Sequence, residues 1–303
     1  VERDLFVYAQ ITQAILDNAD VIRRLYPAPD QPALASECQA APAGPDTLID
    51  GYRMQSRITV DKAVSFWEAT RLSDNRRCVV KLIDFQAVPE HWRRHFVDEH
   101  AKVWQIHHPN VVQTLCRGVI ADRAYIVQEH LAGDRLRAHL GQPLSVTQAL
   151  RHARQLALGL HALHSEEVVH RDLRPENIML RADGSPVLTN FVMAMGMNGD
   201  SAYQSPEQIA GERVDQRSDL FSLGVVLHEM LTGRRPVRTV LAQAGFAAEQ
   251  LDDFPPLPRA NWRLQPLMDQ LLTPRPQQRF ASAVELLQAL RAELLRYRLP
   301  RGL

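Results

Sequence analysis

Apolar residues along this 303-residue chain change their spacing twice. Over residues 1–26, Leu5, Tyr8, Ile11, Ile15, Ala19, Ile22 and Leu25 recur every three or four positions, which predicts one amphipathic helix. Pro27 stops that helix, and Pro29 and Pro32 prevent its resumption. Residues 27–49 are rich in Ala and Pro and read as a linker. From about Asp50 the spacing shortens. Tyr52 to Ala69, Arg77 to Ile83, Val111 to Ile120 and Arg123 to Glu129 hold β-branched and alternating residues, which predict strands. Val88 to Ile106 carries a helical period between them. After Gly133 the period is helical again, over 145–165, 217–232, 263–272 and 281–298. A strand-rich part (50–130) followed by a larger helix-rich part (131–299) predicts an α+β chain of two lobes.

Composition narrows the function classes. The chain is 45% hydrophobic and 23% charged, which excludes wholesale disorder. Thirty-five basic residues balance thirty-five acidic ones, so nothing in the net charge supports a nucleic-acid or membrane-surface role. The longest apolar run, Leu220 to Leu231, is broken by Ser222, His228 and Glu229 and is not a membrane span. Val1-Glu2-Arg3-Asp4 does not read as the start of a signal peptide. Cys38, Cys78 and Cys116 have neither metal nor redox spacing, and with these absences they predict a cytoplasmic setting.

Candidate chemistry gathers in a few short runs. His170-Arg171-Asp172-Leu173-Arg174-Pro175-Glu176-Asn177 is followed by Asn190-Phe191-Val192. Val79-Val80-Lys81 lies upstream, as do Glu99, His108-Pro109-Asn110 and Glu129-His130-Leu131. Ser205-Pro206-Glu207, Asp219-Leu220-Phe221-Ser222-Leu223-Gly224 and Arg279 lie downstream. These runs, in this order, resemble the eukaryotic-type protein kinases, and Tyr203 to Gln208 is closest to their bacterial Ser/Thr members. The resemblance covers about residues 50–298. It implies the two-lobed kinase fold, with a small antiparallel β lobe, a larger helical lobe and the helix at 1–26 added in front.

The same resemblance implies roles. Lys81 would hold nucleotide phosphates and pair with Glu99. The Glu129 to Leu131 hinge, with Gln128 as gatekeeper, and Met179 would meet the base of ATP. Asp172, Arg174 and Asn177 would serve phosphate transfer, and Asn177 with residue 190 would hold Mg²⁺. Glu207 with Arg279, and Asp219, would brace the fold. His161, His164 and His170, which could be taken for a zinc cluster, would instead flank the catalytic loop, with His170 under Phe191.

The departures fall on the nucleotide side. With Phe66-Trp67-Glu68-Ala69 as anchor, the three loop-glycine positions hold Thr59, Asp61 and Val64. Backbone amides approach phosphates closely only where side chains are absent, and Asp61 adds repulsion. Phe66 and Val79 enlarge the roof of the adenine pocket. Asn190 stands where the metal-holding Asp is usual, and an amide brings an oxygen without a charge. Val192 replaces a glycine, and Asp200 a threonine. The residues therefore predict a pseudokinase with weakened ATP and Mg²⁺ binding, acting as a regulatory or scaffold module on a protein partner through 1–26 or the C-lobe. An active atypical Ser/Thr kinase and an ATP-binding switch without turnover are the two alternatives.

Overall fold

The computed structural model describes residues 44–60, 64–87, 102–120, 123–191, 202–235 and 254–298. The helix read at 1–26, most of the linker, Asp61, Glu99, Val192 and Asp200 lie outside them. The chain divides into two units between His130 and Leu131, with 105–112 belonging to the second.

Among the described residues the first unit is built on one antiparallel sheet. Its strands are β1 (Leu48–Ile49), β2 (Tyr52–Val60), β3 (Val64–Arg71), β4 (Arg77–Asp84), β5 (Thr114–Ile120) and β6 (Arg123–Glu129). They lie in the order β1-β2-β3-β4-β6-β5. Alternation sorts their side chains. Met54, Trp67, Ala69, Cys78, Val80, Leu82, Tyr125 and Val127 form one buried cluster. The pairs Phe66–Lys81–Ile126 and Glu68–Val79–Gln128 run across the same strands in the alternate register. The sheet opens at Leu48, inside the stretch read as linker, where Leu48 pairs with Arg53. The strand read from Val111 begins at Thr114, because Val111 and Val112 bond instead to Leu188 in the second unit's own structure.

The second unit is helical. Its helices are α1 (Val146–Ser165), α2 (Pro206–Ile209), α3 (Gln216–Thr232), α4 (Gln265–Leu272) and α5 (Ala283–Arg298). α1 starts where Ser145 accepts a hydrogen bond from the Gln148 amide, and it buries Leu150, Ala153, Leu156, Ala157, Leu160 and Leu163 at helical spacing. α3 is capped by Asp215 at one end and by left-handed Gly233 at the other. Every residue from Ser218 to Leu231 is buried, Ser222, His228 and Glu229 included, so α3 is the central helix of the unit and its apolar residues are not confined to one face. A Cβ on its Gly224 would lie 2.9 Å from Leu271 Cβ, so the glycine sets how closely α4 approaches. The helix read from 263 begins at Gln265, after a 3-10 segment over Arg259–Leu264 and with a proline in its first turn. A short hairpin, β7 (Ile178–Leu180) with β8 (Pro186–Leu188), follows the loop around Asp172. Three-residue strands were too short to register in the apolar pattern. No helix among the described residues is long and apolar enough to cross a membrane.

Candidate active site

The loop from His170 to Asn177 is held from beneath by one buried carboxylate. Asp219, in the first turn of α3, accepts from the His170 amide (2.8 Å), the Arg171 amide (2.9 Å) and His164 Nε2 (2.7 Å). Arg171 sits at φ 65°, a left-handed conformation that β-carbon-bearing residues avoid. Asp219 on its amide and Gln208 Nε2 on its carbonyl at 2.8 Å help to hold it there. His164 in this role was missed in the sequence, where it read only as flanking the loop; its spacing to Asp219 carries no local signal.

His170 is fully buried and crosses Phe191 edge to face, with ring centroids 6.0 Å apart. The Asp172 amide donates to its Nδ1 at 3.3 Å, which leaves the ring proton on Nε2. Burial holds this imidazole below the usual histidine range, and the Asp219 charge offsets that only in part.

Asp172, Asn177 and Asn190 form a directed chain. Asn177 Nδ2 donates to the Asp172 carbonyl (2.8 Å) and to Asp172 Oδ2 (2.6 Å), and Asn190 Nδ2 donates to Asn177 Oδ1 (3.2 Å). The polarity is forced. A backbone carbonyl only accepts, so Asn177 must turn its NH₂ toward Asp172 and its oxygen toward residue 190. Asn190 takes φ 60°, which asparagine tolerates. Burial pushes the Asp172 carboxyl up; Arg174, His170 and Asn177 pull it back without cancelling the rise. Arg174 Nε stands 3.8 Å from Asp172 Oδ1 and 3.8 Å from Glu176 Oε2, an ion pair with each and a hydrogen bond with neither.

Further contacts brace the return from the loop. Arg279 donates to both oxygens of Glu207 (2.7 and 2.8 Å), and Ser218 donates to Glu207 Oε1 at 2.5 Å. Burial alone would raise the Glu207 carboxyl, but Arg279 and Ser218 hold it below its usual range. Asp219 is held low in the same way, by His164 and the His170 amide against a large burial penalty.

These shifts predict a two-stage acid response. His152, His170 and His228 are all held low by burial, so the unfolded chain binds protons that the folded chain refuses. Their stability is present above the ordinary histidine value of 6.5 and is lost as pH falls through it. Asp219 and Glu207 have depressed values, so their share persists down to the ordinary carboxylate range and disappears below it. Asp172, being raised, opposes this by costing stability at neutral pH. The urea midpoint should begin to fall below about pH 6.5 and fall more steeply below about pH 4. A midpoint flat from pH 7 to pH 4 would contradict this.

In the first unit, Lys81 is 2% exposed in β4, with its Nζ 5.3 Å from the centre of the Phe66 ring. Phe66, Val79, Lys81 and Gln128 therefore lie on one face of the sheet. β2 and β3 pair antiparallel as far as Val60 with Ser65. Thr59 is already in β2, and Val64 is buried in β3 opposite Ile83. The Glu129 amide bonds to the Gln113 carbonyl, and its carboxylate accepts from the Gln113 amide at 3.1 Å. Leu131 opens the second unit and is buried, and Met179 lies in β7 opposite Val187. Burial pushes Cys78 up to about 11 and Cys116 up to about 12, so neither is a thiolate nucleophile at neutral pH. Among the described residues no group of three or more His, Cys, Asp or Glu is placed to hold a metal ion.

Residues 63–290 match the model of the protein kinase domain family, three quarters of the chain. The chain belongs to that family. It is 31% identical over 281 residues to the serine/threonine-protein kinase pkn3 of Myxococcus xanthus, covering 82% of this chain and 50% of that protein. It is 31% identical over 279 residues to the serine/threonine-protein kinase drp72 of Corynebacterium efficiens, covering 85% and 52%. The chain thus spans about half the length of these curated relatives. Among solved structures it resembles the kinase domain of Mycobacterium tuberculosis PknI, with a TM-score of 0.68, 20% identity and coverage of 83% of this chain and 99% of that one. The fold is the mixed α+β, two-lobed kinase fold, and these two curated relatives are bacterial Ser/Thr protein kinases.

Proposed function

We propose that this domain is a pseudokinase, a kinase fold with weak or no phosphate transfer that serves as a regulatory or scaffold module for a protein partner. One observation carries the reading: the Asn190 amide donates to Asn177 Oδ1, the oxygen on which a family metal ion would depend. Donor chemistry argues the same way. Mg²⁺ favours carboxylates and phosphates at about 2.1 Å, and residues 177 and 190 provide two amides already bonded to each other. These residues do not fit the ion. Thr59 and Val64 at loop-glycine positions, both held in strands, support the same reading.

On this reading Lys81 with Glu99, and Glu129, Leu131 and Met179, are inherited nucleotide positions whose work is now structural. Asp172, Arg174 and Asn177 shape the loop. The partner docks through 1–26 or the helical lobe, in a cytoplasmic setting and without nucleic acid.

The test is a melting curve with ATP. A ligand at one hundred times its Kd adds about 2.7 kcal/mol, several degrees in a domain of this size. Millimolar ATP, with or without Mg²⁺, is expected to move Tm by less than about 1 °C. A magnesium-dependent rise of several degrees that disappears in Lys81→Ala would overturn the reading.

One observation favours a second reading, that of an active atypical Ser/Thr kinase. Asp172 keeps a carboxylate oriented by Asn177 and faced by the Arg174 guanidinium. Label transfer from ATP to protein hydroxyls, abolished by Asp172→Ala, would establish it.

A further inference from the structure

Helices α1 and α5 pack against each other in the second unit, and a cavity of about 430 Å³ opens between them. Arg151, Arg154 and Gln155 line it from α1, and Arg291, Leu294 and Leu295 from α5. The spacing is the same on both helices, one residue followed by those three and four positions on, so each set shares a face. All three arginines are exposed. Leu294 is buried, but Leu295 is 54% exposed, so apolar carbon meets solvent beside the guanidiniums.

None of the three arginines has a carboxylate partner among the described residues. The reason is written into the helices. α1 has no Asp or Glu along its length, so Thr147 and Gln155 beside Arg151, and Leu150 and Leu158 beside Arg154, carry no charge. Leu287 and Leu295 flank Arg291 in the same way. Arg151 and Arg154 also stand one turn apart, where like charges oppose each other. Other exposed arginines do find an acid: Arg77 pairs with Glu68, and on α5 itself Arg296 pairs with Glu293 at 2.5 Å. The chain as a whole is neutral, thirty-five basic residues to thirty-five acidic, so the positive excess belongs to this place.

The charge sets the sign of a ligand, and the layout sets its class. Arg151 and Arg154 are about 5–6 Å apart at Cβ, and Arg291 rises from a second helix about 8–10 Å away. A single small anion satisfies one guanidinium bidentately and leaves the others facing each other. Carboxylates on successive turns or alternate residues of a peptide span such a layout. An apolar side chain among them covers Leu294 and Leu295, for which a bare polyphosphate has no use.

We propose that the cavity between α1 and α5 docks an acidic segment of a partner polypeptide, with its carboxylates on Arg151, Arg154 and Arg291 and an apolar side chain on Leu294 and Leu295. The inference rests on the reading of the domain as a module for a protein partner, and gives that partner a docking surface and a chemistry.

The test titrates a fluorescent blocked peptide, repeating Glu-Glu-Leu, with the whole chain in the absence of nucleotide. The peptide should bind saturably and more weakly as salt is raised, and a Gln-Gln-Leu counterpart should not bind. Arg151→Gln, Arg154→Gln and Arg291→Gln should each weaken binding about threefold, and the triple variant about thirtyfold. Leu295→Asn should weaken it about fivefold. The triple variant should melt within about 1 °C of wild type, because no ion pair is lost with the arginines. No binding of the acidic peptide, binding untouched by the triple substitution, or a Tm lowered by several degrees in that variant would overturn the proposal. Tripolyphosphate that binds more tightly than the peptide, with no loss in Leu295→Asn, would overturn it too and make the cavity a polyphosphate site. A magnesium-dependent ATP response would strike the pseudokinase reading and leave peptide docking standing, whereas a chain silent to both ATP and peptide would lose only this site.

Discussion

Asn190→Asp is expected to destabilise the domain by about 1–3 kcal/mol in magnesium-free buffer and to make its Tm rise with added Mg²⁺, which the wild type should not show. The direction follows from the donor chain. Asn177 has its NH₂ committed to the Asp172 carbonyl and carboxylate, so its oxygen faces residue 190 across 3.2 Å. A carboxylate there would set oxygen against oxygen and add a negative charge near Asp172, whose carboxyl burial already raises. Either a proton or a divalent cation would relieve the clash, and the cation also gains a charged ligand. Equal stability of variant and wild type in EDTA, with no response to Mg²⁺, would show that the Asn190 amide does not hold the loop. It would also remove the main support for reading the domain as a pseudokinase.

The larger loss is expected at Asp219. Asp219→Ala should cost about 3–5 kcal/mol, because it leaves two amides and one imidazole N–H buried without an acceptor. The strain at Arg171 would then lose its tie to Asp219, and the loop from His170 to Asn177 should relax out of the left-handed conformation. Asp219→Asn keeps one accepting oxygen, so it should lose less. Urea unfolding gives the magnitude, provided the m-value is unchanged, and hydrogen exchange at the amides of residues 170 and 171 gives the location. A cost below about 1 kcal/mol, or protected amides in the variant, would mean the loop is held from elsewhere.

Much of the fold was legible because long elements write their period into the chain. α1 and α3 differ by a residue or so from the ranges read at 145–165 and 217–232, and β6 was read at its own bounds. Elements whose ends depend on distant partners were read less well. Val111 and Val112 have strand-forming side chains, yet Leu188 claims their backbone and β5 starts at Thr114. The β7–β8 hairpin, three residues a side, leaves no periodic trace. At the site, Asp172, Asn177, Asn190, Lys81 and Asp219 could be singled out from short motifs. The partners of His164, Arg137 and Tyr203 could not be read, since they lie 55, 39 and 26 residues away.

The chain by itself thus determined which residues are present and which are replaced: an amide at 190, side chains at 59, 61 and 64, and apolar stripes that fix strands before helices. Local order sufficed for that, because period, caps and motif spacing are properties of neighbouring residues. Only the tertiary structure decided what the replacements do. It turned the Asn190 amide onto Asn177 and aimed Arg137 at one buried glutamate, Glu229, and one half-buried one, Glu176. Hydrogen-bond direction and charge pairing depend on which groups meet across the fold, and sequence separation says nothing of that.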